Sequence, residues 1–260
     1  MALQETVHAG AKKKEQLLDN EMPRFFVRAI LAGIYLTAGT AFAAVAGNAV
    51  NEYAPGLGSV VFALLFGLGL FAIVILNAEL ATGDMMFASW AATDKVFSWG
   101  KGIWLVVVVT VANLIGAIIF AAVMSQSAKF GSMDNSHLIV TLVEGKLAKP
   151  FFGALLEAIF ANFIVNMAIV GALLAKEFVS KFVVILPLIA IFVGLGLEHV
   201  IANFSLFSLA FLSSTPPEGF TAAAILSNWV AVWIGNFIGG GLCIGGVYAW
   251  LNKTKTVYKD

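Results

Sequence analysis

The chain is predicted to be an all-α membrane protein. Its six transmembrane helices form two inverted sets of three, and the second and fifth are broken. Composition, six long apolar stretches, and a matched pair of polar interruptions predict it. Of 260 residues, 60% are hydrophobic and 12% charged, and the mean hydropathy is +0.95. Soluble domains run at roughly 45–50% apolar and about 25% charged. The same hydrophobicity excludes intrinsic disorder. A balance of 15 Lys+Arg against 15 Asp+Glu gives no basic excess, so no nucleic-acid partner is expected. Cys243 is the only cysteine, which excludes a disulfide scaffold.

Residues 1–23 are polar, with Lys12, Lys13, Lys14, Asp19 and Glu21, and have no apolar core ahead of a small-residue site. They are not a cleavable signal peptide and read as a cytoplasmic N-terminal segment. A bilayer core about 30 Å thick needs roughly 20 apolar residues per helix. Stretches near 25–50, 58–80, 102–125, 151–175, 182–212 and 221–251 meet that need. Pro55-Gly56 and Pro216-Pro217 are breaks between them. The second stretch runs into Asn77-Ala78-Glu79-Leu80-Ala81-Thr82-Gly83-Asp84, and the fifth passes Gly194 and Gly196 into Leu197-Glu198-His199. Such interruptions are tolerated at membrane depth only where backbone is buried in protein or faces a watery cavity. The six-span domain is accordingly 24–251, followed by a cytoplasmic tail, 252–260.

Basic residues orient the spans. With the N-terminus inside, Lys12, Lys13, Lys14, Arg24, Arg28, Lys95, Lys101, Lys176, Lys181, Lys253, Lys255 and Lys259 are cytoplasmic, and only Lys129, Lys146 and Lys149 are outside. Both termini are then cytoplasmic. The halves repeat features in order: Ala112-Asn113-Leu114-Ile115-Gly116 in the third span matches Gly235-Asn236-Phe237-Ile238-Gly239 in the sixth, and Glu79 and Glu198 mark the two breaks. Three spans followed by three give halves of opposite orientation, with a pathway expected between them near the midplane.

His199 is the only histidine in a span. With an ordinary pKa of about 6.5, an imidazole exchanges protons at ordinary pH. It reads either as a neutral interhelical hydrogen-bonder or as a pathway group, and the glycine-broken helix favours the second. Asn203, one turn on, is placed to share its cavity. Glu79 and Glu198 would each cost roughly 2.5–3.5 kcal/mol if charged at a helix centre. They are expected to accept backbone amides and organise the breaks, with direct proton carriage the lesser alternative. Glu157 raises the same cost with no evident partner. Thr82 either caps a helix or presents a hydroxyl to a pathway. Asn113, Asn162, Asn166, Asn228 and Asn236 read as interhelical hydrogen-bonders. Lys146 is a solvated lysine or a local positive field at a pore mouth. Spacing alone makes Phe66, Leu70, Leu80 and Phe192 ordinary packing. Metal-ligand spacing, a phosphate-binding glycine loop, a nucleophile–base pair and Asn-Pro-Ala loops are absent, so no enzyme, metal or cofactor is expected.

Across roughly 24–251 the chain resembles the formate–nitrite transporters. The ordered blocks are Asn77 to Thr82, Lys146 and Pro150 leading to Asn162, Gly196-Leu197-Glu198-His199-Val200-Ile201-Ala202-Asn203, and Asn228 through Gly235 to Gly241. The resemblance implies an aquaporin-like fold in a homopentamer of the bacterial inner membrane, moving formate, nitrite, hydrosulfide or lactate, commonly with a proton. His199 looks like the central pathway histidine, followed by Asn203. Thr82 matches the threonine opposite it, Lys146 the vestibule lysine and Asn162 its companion. Phe66 and Phe192 match an aromatic constriction, Leu70 and Leu80 an aliphatic one, and Asn236 a pathway-lining asparagine. The segment 1–23 corresponds to a mobile gate in relatives. Ala81 departs from formate-type members, which often carry phenylalanine there, so a cargo larger than formate, with lactate foremost, is expected. Glu157 stands where arginine is frequent.

The mechanism expected is that a weak acid, drawn to a vestibule as its anion, crosses two apolar rings as the neutral acid. His199 either supplies the proton or holds the anion by a hydrogen bond. A bare-anion channel for nitrite or hydrosulfide is the alternative, and a structural or signalling membrane protein is the alternative from another class.

Overall fold

The computed structural model describes residues 2–131, 133–211 and 217–254, and among them every regular element is helical. Leu212, Pro216, Lys255 and Lys259 lie outside the described residues. The helices are α1 (Leu3–Asn20), α2 (Met22–Asn51), α3 (Leu57–Ile75), α4 (Ala81–Thr93), α5 (Trp99–Met124), α6 (Leu138–Leu147), α7 (Phe151–Leu174), α8 (Phe178–Gly194), α9 (Val200–Phe211) and α10 (Ala222–Asn236). A π-helical stretch, Phe237–Gly246, then runs into α11 (Val247–Leu251). Among the described residues, five helices are long and apolar enough to cross a membrane: α2, α3, α5, α7 and the continuous Ala222–Leu251. The shorter apolar helices α8 and α9 divide the fifth predicted stretch, as α3 and α4 divide the second.

Both breaks have the same construction. Asn77 (φ 53) and Gly196 (φ 68) take the left-handed conformation that ends a helix. The next residue reaches back, Ala78 N–H to Ile73 O at 3.0 Å and Leu197 N–H to Phe192 O at 3.2 Å. Each extended segment is then clamped by an asparagine from the crossing helix. Asn113 donates to Glu79 O (2.9 Å) and Ala29 O (2.7 Å) and accepts Ala81 N–H (3.0 Å). Asn236 donates to Glu198 O (3.0 Å) and Ala158 O (2.8 Å) and accepts Val200 N–H (2.8 Å). Three residues on in each motif, a glycine lets the backbones close: a Cβ at Gly116 would lie 2.1 Å from Ile30 O, and one at Gly239 1.8 Å from Ile159 O. Without a hydrophobic drive between helices in lipid, such close approach and such hydrogen bonds hold the bundle. The repeated motif thus serves both halves in the same way.

Two expectations change here. The loop organisers are the amides of Asn113 and Asn236, not the carboxylates of Glu79 and Glu198, which take side-chain donors instead. Residues 1–23 also do not end where a span begins, since α2 starts at Met22. Pro23 sits in its first turn, where a missing N–H costs nothing. Before it, α1 buries Leu3, Val7, Ala11 and Leu18. Lys14 falls on the same helical stripe. The remaining unpredicted element, α6, buries Leu138, Ile139, Val140 and Val143 between the third and fourth predicted spans.

Candidate functional site

The first turn of α4 and the residue preceding α9 meet in the protein interior. Thr82 is fully buried and His199 is 3% exposed. Thr82 Oγ1 lies 2.9 Å from His199 Nε2, and Ala202 N–H points at His199 Nδ1 at 3.1 Å. Because a backbone N–H only donates, Nδ1 is the acceptor and the ring proton resides on Nε2, which donates to the threonine oxygen. An imidazolium would set an Nδ1–H against the Ala202 N–H, so this geometry holds the ring neutral. The Thr82 hydroxyl, accepting from the ring, keeps its own proton for another partner. The opening N–H groups of a helix have no intrahelical acceptor and carry the positive end of its dipole. Two such ends converge on this pair.

A cavity lies on either side. One, of about 240 Å³, is lined by Phe62, Phe66, Phe192, Lys146, Lys149, Ala202 and Leu206 among others. From it, rings lead inward: Phe66 packs edge-on against Phe192 at 5.8 Å, and Phe192 lies 5.7 Å from the His199 ring. The other, of about 280 Å³, is lined by Lys13, Lys14, Glu79, Leu80, Gly83, Asp84, Phe87 and Lys181 among others. Leu80 and Gly83 flank Thr82 in the chain. His199 is in the lining of neither cavity; the Phe192 ring stands between it and the first. Leu70 and Ala81 are buried but line neither cavity.

Each cavity holds a lysine–glutamate cluster. On one side the Lys146 and Lys149 ammoniums meet one oxygen of the wholly buried Glu198, at 3.0 and 2.8 Å. Asn203 and Asn228 donate to the other, at 2.6 and 3.4 Å. Lys149 also pairs with Glu157, the partner that residue lacked in the sequence, and donates to Gly196 O at 2.8 Å. Burial opposes the charge on Lys149, but Glu198 above all holds its pKa above the ordinary value. On the other side Lys14 of α1 pairs with Glu79 and lies 2.7 Å from Asp84. Burial again opposes its charge, and the two carboxylates outweigh it and raise the pKa. α1 is tied further by His8 to Asp94 at 2.8 Å and by Asp19 to Lys101 at 2.6 Å.

Three residues expected on the pathway are occupied elsewhere. Asn203 does not share a cavity with His199; its amide serves Glu198 and Asn228, on whose oxygen it closes at 2.8 Å. Asn162 is no companion of Lys146, for its amide donates to Thr82 O (3.1 Å) and Asn236 O (2.8 Å) and so positions the threonine. Asn236 clamps the break and has no donor left over. Lys14, Asp84 and Lys149 were missed as site residues, because partners 49 or more positions apart, as Glu198 is from Lys149 and Glu79 from Lys14, leave no periodic trace. Only the stripe of α1 hinted that Lys14 faces inward.

A family model described as Formate/nitrite transporter matches residues 1–250. The formate channel BtFdhC of Bacillus thuringiensis is 30% identical over 243 residues, covering 93% of this chain and 90% of that protein. A solved structure described as an FNT family ion channel shares the fold, with a TM-score of 0.90 at 24% identity over 96% of this chain and 98% of its own. Another, described as a pentameric formate channel with formate bound, aligns with a TM-score of 0.75 at 26% identity, covering 88% of this chain and 96% of its own.

Proposed function

The chain belongs to the formate/nitrite transporter family, a family of anion channels and transporters, and from that premise we propose that it carries small weak acids, formate or lactate, together with a proton in either direction. The observation that carries this reading is the neutral His199–Thr82 pair buried between two lysine-bearing cavities.

Magnitudes choose the permeating species. Stripping water from an isolated carboxylate in a medium of dielectric constant about 4 costs tens of kcal/mol. Protonating a carboxylate of pKa near 4 at pH 7 costs only about 4 kcal/mol, at 1.36 kcal/mol per unit. The neutral acid is therefore the form that passes Phe66 and Phe192 on one side and Leu80 on the other. The Thr82 hydroxyl and the converging helix ends hold the carboxyl end of the acid at the centre, and His199 orients that hydroxyl. Held neutral by Ala202, the ring acts as a hydrogen-bond donor rather than as the source of the proton, which travels with the substrate. Ala81, small where formate-type relatives often carry phenylalanine, supports a cargo larger than formate.

In this reading the Lys146 cavity is the outer mouth and the Lys14 cavity the cytoplasmic one, with both termini cytoplasmic in a bacterial inner membrane. The six spans are α2, α3 with α4, α5, α7, α8 with α9, and Ala222–Leu251, an inverted pair of threes. A related structure titled pentameric supports assembly as a homopentamer.

Purified protein in vesicles loaded with a pH dye tests this, using formate, lactate, nitrite and hydrosulfide at two pH values. Formate or lactate entry should acidify the lumen in proportion to uptake. Entry without acid equivalents would overturn proton-coupled carriage in favour of a bare anion. His199→Asn should keep the oligomer and alter flux; loss of the oligomer would make the histidine structural.

A further inference from the structure

Among the described residues, Lys146 and Lys149 are the only charged ones lining the outer cavity. Both ammoniums converge on a single carboxylate, Glu198, whose second oxygen is taken by the neutral amides of Asn203 and Asn228. Two cations on one anion leave a surplus positive charge. Glu157 removes it: from the second turn of α7 its carboxylate meets Lys149. Lys149 already has Glu198 and Gly196 O as partners, so Glu157 is not needed to satisfy it. The side chains of the Lys149–Glu157 pair are 25% and 36% exposed, and an ion pair that exposed adds little to stability. Its effect falls on the potential of the mouth.

We propose that Glu157 sets the anion affinity of the outer mouth: it holds the mouth at zero net charge and so keeps it from concentrating anions, formate included. An acid that arrives as its anion is then gathered no more strongly than its bulk concentration provides, and this one carboxylate sets that limit. The inference rests on the transport reading and on the Lys146 cavity being an entrance.

The test is the concentration dependence of formate uptake through the outer face, in oriented vesicles at low ionic strength. A unit charge about 8 Å from an ion, at an effective dielectric constant of about 40–80, changes its local concentration about two- to six-fold. Glu157→Gln should lower the formate KM by that factor with Vmax within about two-fold, and the difference should vanish near 1 M impermeant salt, where the Debye length is about 3 Å. Glu157→Asp, which keeps the charge, should keep the parental KM. The unaltered protein gives a second readout: with a neutral mouth its KM stays within about two-fold as salt rises. An unchanged KM in Glu157→Gln, a fall in Vmax at fixed KM, a shift that survives high salt, or a strongly salt-dependent parental KM would each overturn the proposal. Absence of any uptake by the parent would instead refute the transport reading itself.

Discussion

Replacing Thr82 by valine removes one oxygen at nearly constant volume and so isolates the chemistry of the central pair. In the folded protein the His199 Nε2–H would lose its acceptor at 2.9 Å while remaining buried. A stranded buried donor costs about 1–3 kcal/mol, which should appear as a modest loss of stability. Flux falls as well. The neutral acid held at the centre loses its hydrogen bond to the Thr82 hydroxyl, worth about 1 kcal/mol between neutral groups. At 1.36 kcal/mol per decade, Thr82→Val should slow formate uptake roughly five-fold. Thr82→Ser retains the hydroxyl and should stay within about three-fold. The assay is initial uptake in vesicles, with the oligomer checked on the same preparation. Uptake by the valine variant within about two-fold of the parent, with an intact oligomer, would refute any role for the hydroxyl in holding the substrate.

Asn113→Ala and Asn236→Ala should be equally damaging, since each removes three hydrogen bonds to buried backbone; a loss of at least about 3 kcal/mol is expected in denaturant unfolding, and a mild effect of either would show that its break is held by something else. Gly239→Ala should abolish folded protein, because its Cβ would meet Ile159 O at 1.8 Å, whereas Gly83→Ala, with nothing within 4 Å, should express and assemble normally. Ala81→Phe, which places a ring next to Thr82 in the chain, should lower the ratio of lactate to formate uptake, and an unchanged ratio would sink the size argument.

Much of this architecture was legible in the sequence because membrane physics leaves few choices. A helix that stops inside the bilayer must declare itself by polar residues, and Asn77 to Asp84 and Gly194 to His199 did so at both breaks. The recurrence of asparagine three residues before glycine, at Asn113 and Asn236, falls on the two amides that clamp the breaks in the same way, and His199 and Thr82 do meet. The same letters did not say where each amide would point. Asn162, Asn203 and Asn236 were all given pathway roles, yet the amide nitrogen of each donates elsewhere: Asn162 and Asn236 to backbone carbonyls, Asn203 to Glu198 and Asn228. An asparagine in a span needs some partner, and composition cannot choose among those that the fold brings near. The ion pairs were wholly illegible: Lys14 reaches Glu79 and Asp84 only because α1 folds back beneath the bundle, and Lys149 reaches Glu198 across 49 positions. α6 was hidden because ten residues are too few to announce themselves against a background this apolar.

The two breaks share their backbone construction but not their charge. One turn into the second half-helix, α9 places Asn203 beside Glu198, while α4 places Asp84 beside Glu79 at the matching position. The Lys146 cluster has two ammoniums for its buried glutamate; the Lys14 cluster has a single ammonium between two carboxylates. A strictly symmetric pathway would present the same potential to an acid from either side. In the proposed transport reading the Lys146 mouth is balanced through Glu157, and the Lys14 mouth depends on α1, which precedes the proposed spans. Reversible transport requires only that the central site be indifferent to direction, and the neutral His199–Thr82 pair is. The mouths are then free to differ, so that differences between uptake and efflux in this protein should trace to Glu157 and Lys14 rather than to the histidine.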